Sequence, residues 1–221
     1  MKLSKETTNI LKNFSEINSN ILLKSGNKLD TITEGSNLMA SADISETIQV
    51  SESGFGIYDL NEFLGIVSLF EEPDLEFSDK YVTISQGKSA IKYFAAASDL
   101  LTYPKREYKF PSAEINFELS ASVVNSIRKV AAVLKSADVR IIGDGTDITI
   151  QVGDKKNATA SSYSSVVGST DKEFVVNLKV DNLKLLPGDY QVAISTKKAA
   201  QFTSTNVNYI MAIEADSTFN L

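Results

Sequence analysis

The chain has 221 residues, with 22 Lys plus Arg against 28 Asp plus Glu, and no His, Cys or Trp. Without His or Cys it can build no Ser-His-Asp or Cys-His nucleophile system, no disulfide framework and no zinc site of thiolates and imidazoles. Its net charge of −6 runs against a surface built simply to neutralise phosphate.

A composition of 43% hydrophobic and 23% charged residues is that of a globular protein with room for one large domain or two small ones. No run approaches the roughly 18 apolar residues of a membrane span, and MKLSKETTNILKNF lacks an apolar signal core. A soluble intracellular protein is expected, in which the sequon at Asn157, Ala158 and Thr159 is a chance match.

The first predicted element is a helix in SKETTNILKNFSEI. Leu3, Thr7, Ile10, Phe14 and Ile17 fall on one side at spacings of three and four, with Ser4 placed as N-cap. Lys5 and Lys12 fall on the opposite side, about 10 Å apart along the axis. NILLKS follows as a strand. From Leu29 to Asp79 there are twelve acids and no Lys or Arg, so this stretch carries −12 and the remainder +6. Within it, DLNEFLGIVSLF (Asp59 to Phe70) is a weaker helix whose exposed side offers either the acids Asp59 and Glu62 or the neutral Asn61, Gly65 and Ser68. EEPDLEFSD, from Glu71 to Asp79, is expected to be an exposed connection, because Pro73 blocks helix continuation.

KYVTIS reads as a strand, and SAIKYFAA (Ser89 to Ala96) as a sheet edge. ASDLLTYPKREYKFP, from Ala97 to Pro111, carries both Pro104 and Pro111 and is the natural linker. INFELS then leads into SASVVNSIRKVAAVLKS, a helix with the stripe Val123, Val124, Ile127, Val130, Ala131 and Leu134. Its polar face holds Ser122, Asn125, Arg128, Lys129 and Lys135, and no acid. VRIIGD, DITIQV, EFVVNL, YQVAIS and NYIMAIEA are further strands, with ATASSYSSVV (Ala158 to Val167) a second edge. Reversals are placed at Asp144-Gly145 and Pro187-Gly188. A short fourth helix is expected in VDNLKLL (Val180 to Leu186).

The two halves repeat: an offset of 116 carries Leu3-Ser4 onto Leu119-Ser120, Asn9 onto Asn125, Lys12 onto Arg128 and Phe14 onto Val130. Phe55 and Ile57 match Phe174 and Val176 at an offset of 119. The expected fold class is α+β, with two similar domains of two βαβββ-like units each, over 1–100 and 112–221 with 101–111 as linker.

Four segments carry a resemblance that runs from end to end: MKLSKETTNILKNFSEINSNILLKSG, IYDLNEFLGIVSL, LLPGDYQ and NYIMAIEADST. The chain resembles the sliding clamps of T-even-type bacteriophages, the processivity subunits of their DNA polymerases. The resemblance implies the DNA-clamp (processivity) fold: a homotrimeric ring of six similar domains, helices lining the hole and sheets outside. The eukaryotic ring, proliferating cell nuclear antigen, is built the same way and has a linker stretch similar to PKREY. Double-stranded DNA would be bound topologically and without base readout, with Lys5, Lys12, Arg128, Lys129, Lys135, Lys179 and Lys184 facing it. Partner peptides would dock on Leu101, Tyr103, Pro104 and Tyr108 of the linker with Ile210 and Ala212. The resemblance further implies the replicative DNA polymerase, an external ATP-dependent clamp loader and the late-transcription machinery as partners, in the cytoplasm of the infected host.

No enzyme is expected, and no cofactor, metal or membrane partner. GDGTD at Gly143 to Asp147 lacks the further ligands of a calcium loop, SQGK at Ser85 to Lys88 has no companion motif, and no phosphate-binding glycine loop is present. The rival reading is a β-rich phage structural protein of a tail or baseplate, which would share the strands and acidity but would not call for duplicated helices with basic faces.

Overall fold

The computed structural model describes residues 1–157 and 159–220. Ala158, the middle of the sequon and the first residue of the second expected edge, lies outside the described residues, as does Leu221. The chain divides into two compact units, Met1–Glu107 and Tyr108–Leu221.

The first unit opens with helix α1, Lys5–Ile17, where the 3-4 periodicity places it. Ser4 caps it, its Oγ accepting from the Thr7 N–H at 3.1 Å. Glu46, far away in sequence, adds a second cap by accepting from the Ser4 N–H and from Thr7 Oγ1. Ile10, Leu11, Phe14 and Ile17 are buried, and each contributes about 1.5–3 kcal/mol of burial free energy. Strands β1 (Ile21–Leu23), β2 (Gly26–Ile32), β3 (Leu38–Ile48) and β4 (Phe55–Ile57) follow. Helix α2 spans Leu60–Val67, with Asp59 Oδ1 accepting from the Glu62 N–H. Strands β5 (Asp74–Phe77), β6 (Tyr81–Gln86) and β7 (Ser89–Phe94) form a sheet in that order, with β7 at its edge.

The second unit reads β8 (Ile115–Leu119), α3 (Ala121–Leu134), β9 (Asp138–Asp144), β10 (Asp147–Val152), β11 (Tyr163–Ser169), β12 (Glu173–Lys179), β13 (Tyr190–Ser195), β14 (Ala199–Thr203), β15 (Val207–Ala212) and β16 (Thr218–Asn220). One sheet has the order β11-β10-β9-β12-β16, and β15-β14-β13-β8 pair in a second run. The alternating burial of β8, β9 and β10 turns one face of each strand inward.

Two expectations are corrected. VDNLKLL is not an α-helix but a single 3-10 turn at Val180–Asn182. The backbone that would continue it is held by side chains instead. Leu185 O accepts from Arg128 at 3.1 Å, Leu186 N–H donates to the Tyr209 hydroxyl, and Leu186 O accepts from the Tyr190 hydroxyl at 2.6 Å. Pro187 also biases Leu186 away from helical backbone. EEPDLEFSD is not simply a connection: Asp74–Phe77 is strand β5, with Pro73 and Leu75 buried and Leu75 bonded to Met1 in both directions.

Three backbone hydrogen bonds recur in both units. Leu60 N–H to Ser19 O matches Val180 N–H to Ala137 O; Ala96 N–H to Gly56 O matches Glu214 N–H to Asn177 O; Ala95 N–H to Lys80 O matches Ile213 N–H to Lys198 O. Gly56 is therefore equivalent to Asn177, two residues beyond the match implied by Phe55 and Phe174. A slip of two keeps side chains on the same face, so the hydrophobic pattern cannot detect it.

Candidate nucleic-acid interface

On α1 the outward stripe is Lys5, Asn9, Lys12 and Glu16, all exposed, directly behind the buried Ile10 and Phe14. With Glu6 included, the helix carries two bases and two acids. Neither Lys5 nor Lys12 has an ion-pair partner among the described residues. Lys2, Lys5 and Lys12 border a cleft of about 920 Å³ whose far side carries Glu71 and Glu72.

Helix α3 is different. Its outward face is Ser122, Asn125, Arg128, Lys129 and Ala132, all exposed, and within the helix there is no acid at all. Ser120 makes no side-chain cap bond; the Ala121 N–H is taken at 2.7 Å by the Asp189 carboxylate. Glu46 and Asp189 thus each bring a distant carboxylate to a helix start, Glu46 to the N–H of the capping residue and Asp189 to the N–H one position later. Sequence reasoning missed both, since the partners lie 42 and 68 positions away and no local pattern marks them.

The remaining bases are placed less uniformly. Lys135 follows α3 as its C-cap in the left-handed region (φ 50°) and is exposed. Lys179 is already partnered: its Nζ lies 2.7 Å from Asp138 Oδ1 and 3.8 Å from Glu214 Oε2, and the hydrogen bond to Asp138 raises its pKa. Lys184 is half-buried after the 3-10 turn. On α2 the exposed residues Asn61, Glu62, Gly65 and Ser68 include an acid and no base.

Of the expected peptide-pocket residues, Leu101 is buried, Tyr103 and Pro104 are half-buried, and Tyr103 lies 5.7 Å beneath Lys24 Nζ. The next residue back, Thr102, is clamped: Asn20 Oδ1 accepts from its N–H and Asn18 Nδ2 donates to its carbonyl, both at 2.9 Å. Leu101 anchors the segment on its own unit, where a Cβ at Gly56 would collide with it and with the Ala96 carbonyl. In the second unit Tyr108 is exposed, while Ile210 (buried) and Ala212 (exposed) share one face of β15. The expected sheet edges carry Phe94 on β7, stacked edge-on to Tyr81 at 5.8 Å, and Val166 on β11, both prominently exposed.

Among the described residues there is no group of three or more carboxylates placed to hold a metal, and no helix is long and apolar enough to cross a membrane. The arrangement offers, on the faces of α1 and α3, cations with no carboxylate ion pair among the described residues.

Residues 4–101 match the family model described as DNA polymerase processivity factor, and residues 114–215 the model described as gp45 sliding clamp, C terminal. The chain is 36% identical to the sliding clamp of Enterobacteria phage T4 and 35% identical to that of Escherichia phage RB69, over 99% of both chains in each case. Against the sliding clamp of Vibrio phage KVP40 identity is 28%, over 97% of this chain and 100% of the relative. Among solved structures, proliferating cell nuclear antigen from Thermococcus kodakaraensis superposes with a TM-score of 0.70 at 13% identity, over 97% of this chain and 99% of that one. The Helicobacter pylori beta clamp bound to a DNA ligase peptide gives 0.65 at 17%, over 96% of this chain and 66% of that one. At such identities these two speak to the fold alone. The tail or baseplate reading finds no support among these relatives.

Proposed function

This chain belongs to the sliding clamp family of DNA polymerase processivity factors, and from that premise we propose how its residues do the work. Three copies close into a ring through the free edges β7 and β11, where exposed Phe94 and Val166 leave water. The ring encircles duplex DNA and tethers the replicative polymerase without catalysing a reaction. Domains 1–100 and 112–221, joined by 101–111, repeat around it.

The single observation that carries the DNA-facing assignment is α3: an exposed helix face with Arg128 and Lys129 and no acid, in a chain of net charge −6. B-DNA carries about one charge per 1.7 Å of axis, so ammonium and guanidinium groups free of protein carboxylates attract phosphates at any register. Because they read no base edges, attraction is the same at every step and the ring slides. Lys5 and Lys12 extend the face on α1 in weaker form, with Glu6 and Glu16 beside them. Lys135, Lys179 and Lys184 contribute at its margin, Lys179 while ion-paired to Asp138. At about 0.1 M salt the Debye length is near 10 Å, which confines the attraction to the hole.

Client peptides dock beside the linker on Leu101, Tyr103, Pro104, Tyr108, Ile210 and Ala212. An ATP-dependent clamp loader opens the ring, the late-transcription machinery is a further client, and the site of action is the cytoplasm of the infected host.

The test loads the protein with its clamp loader on nicked circular DNA, linearises the circle and washes with salt. Retention on the circle and loss after cutting is expected; equal, salt-sensitive binding to both forms would sink the ring. The double variant Lys12→Glu, Arg128→Glu should reduce loading by about tenfold or more, as reversing phosphate contacts does, while sedimentation shows an intact trimer. Normal loading would move the DNA face elsewhere.

A further inference from the structure

Where the fourth helix fails to form, backbone groups are left that a helix would have bonded internally, and Arg128 takes up one of them. In the first unit Leu60 opens α2, whose carbonyls are bonded along the helix. In the second unit the matching start, Val180, yields a single turn. The carbonyl of Leu185, a residue 2% exposed, accepts instead from Arg128 Nη1 at 3.1 Å. Arg128 is exposed on α3 and stands where the repeat puts Lys12.

The segment carrying that carbonyl is held from behind. Leu186 N–H donates to the Tyr209 hydroxyl at 3.2 Å, and the Tyr190 hydroxyl donates to Leu186 O at 2.6 Å. Both tyrosines are buried; their rings meet edge-on at 6.1 Å, and Tyr190 meets Phe202 edge-on at 6.4 Å. Burial pushes the pKa of Tyr190 up to about 12, so its hydroxyl is a donor at neutral pH. Further along, the Asp189 carboxylate takes the Ala121 N–H at 2.7 Å. The segment is therefore tied to α3 at Ala121 and at Arg128, about two turns apart on one side of the helix.

We propose that Tyr190 and Tyr209 are positioning residues for DNA binding: through Leu186 they fix the Leu185 carbonyl, and that carbonyl orients the Arg128 guanidinium. The inference rests on the assignment of α3 to the DNA face. A guanidinium has five N–H donors. The bond to Leu185 uses one and leaves the others for phosphate oxygens, which the planar group can meet in pairs. Orienting it beforehand lowers the entropy lost on contact. One hydrogen bond to a neutral carbonyl biases the guanidinium without locking it, so it still passes from one phosphate to the next. Lys12 and Lys129 have no comparable side-chain bond among the described residues, and a lysine, as a compact point charge, gains less from orientation.

The test measures the affinity of the protein for a short fluorescein-labelled duplex, open at both ends so that a ring threads on without a loader, by anisotropy at low salt. Arg128→Ala weakens binding by about tenfold, as loss of one charged contact does. Tyr190→Phe with Tyr209→Phe keeps both rings and weakens it about threefold, the scale of one net hydrogen bond, with an unchanged sedimentation profile. In the Arg128→Ala background the same pair has no further effect, because the hydroxyls act only through Arg128. Unchanged affinity in the tyrosine pair overturns the proposal. So does an equal loss from that pair with Arg128 already gone, which makes the hydroxyls merely structural. Where the pair lowers the urea midpoint, Tyr190→Phe alone gives the same reading. Full affinity in Arg128→Ala overturns the DNA-face assignment itself, and this proposal with it.

Discussion

The two units solve the same topology with different holding chemistry. In the first, Gly56 leaves room for the Ala96 carbonyl and Leu101 to close directly onto β4. In the second, the equivalent Asn177 works through its side chain and backbone together: its Nδ2 donates to the Asp216 carboxylate and its N–H to the Ser217 hydroxyl. Helix α1 has Phe14 completely buried where α3 has the half-buried Val130. The two units share these backbone bonds, with close packing at Gly56 in one and polar contacts at Asn177 in the other. At these two positions the first unit packs more closely, and the second carries the more basic helix.

The largest way to break this comparison is at the core. Phe14→Ala is expected to cost about 3–5 kcal/mol, as truncation of a buried aromatic does, and Val130→Ala under about 1.5 kcal/mol. Urea unfolding measures both, and equal losses would mean the units are not differently packed. Next comes Gly56→Asn, which installs the second unit's residue in the first. Overpacking against Ala96 and Leu101 should cost about 1–3 kcal/mol and expose 97–104 to limited proteolysis; an unchanged cleavage rate would show that the segment does not need the close approach.

The smallest effects lie at the helix starts. Ser4→Ala should cost about 1 kcal/mol, whereas Ser120→Ala, which removes no cap bond, should change the urea midpoint little. Glu46 adds a pH signature. Burial pushes its carboxyl up, but hydrogen bonds from Thr7, Ser4 and Ser45 outweigh this and hold its pKa down to about 2, from 4.5. Its stabilising effect is therefore complete above pH 4.5 and is lost as pH falls toward about 2. Glu46→Gln should flatten stability over that window; an unchanged acid limb would remove Glu46 from the cap.

Much of the fold was legible because it is local. The 3-4 stripe from Ile10 to Ile17, the Ser4 cap and the alternation in INFELS and DITIQV are patterns within one element, and they locate α1, β8 and β10. Pro104 and Pro111 flank the division between the two units at Glu107 and Tyr108. What failed did so for tertiary reasons. The Leu185 and Leu186 backbone groups are claimed by Arg128, Tyr190 and Tyr209, and no periodicity in VDNLKLL reveals that competition. The basic residues of α1 and α3 could be read from helix phase. The Asp138 cluster could not, since it gathers Lys155, Lys179 and Asp216 from three separate segments.

The carboxylates at the two helix starts bear on friction. An uncapped helix N-terminus presents several convergent amides and about half a positive charge, a geometry that grips a phosphate at one fixed spot. Glu46 occupies that spot on α1 and Asp189 on α3. If, as proposed, these helices face the duplex, the cations left on them are flexible side chains that would trade one phosphate for the next, and the energy along the duplex would stay smooth where open helix ends would have notched it.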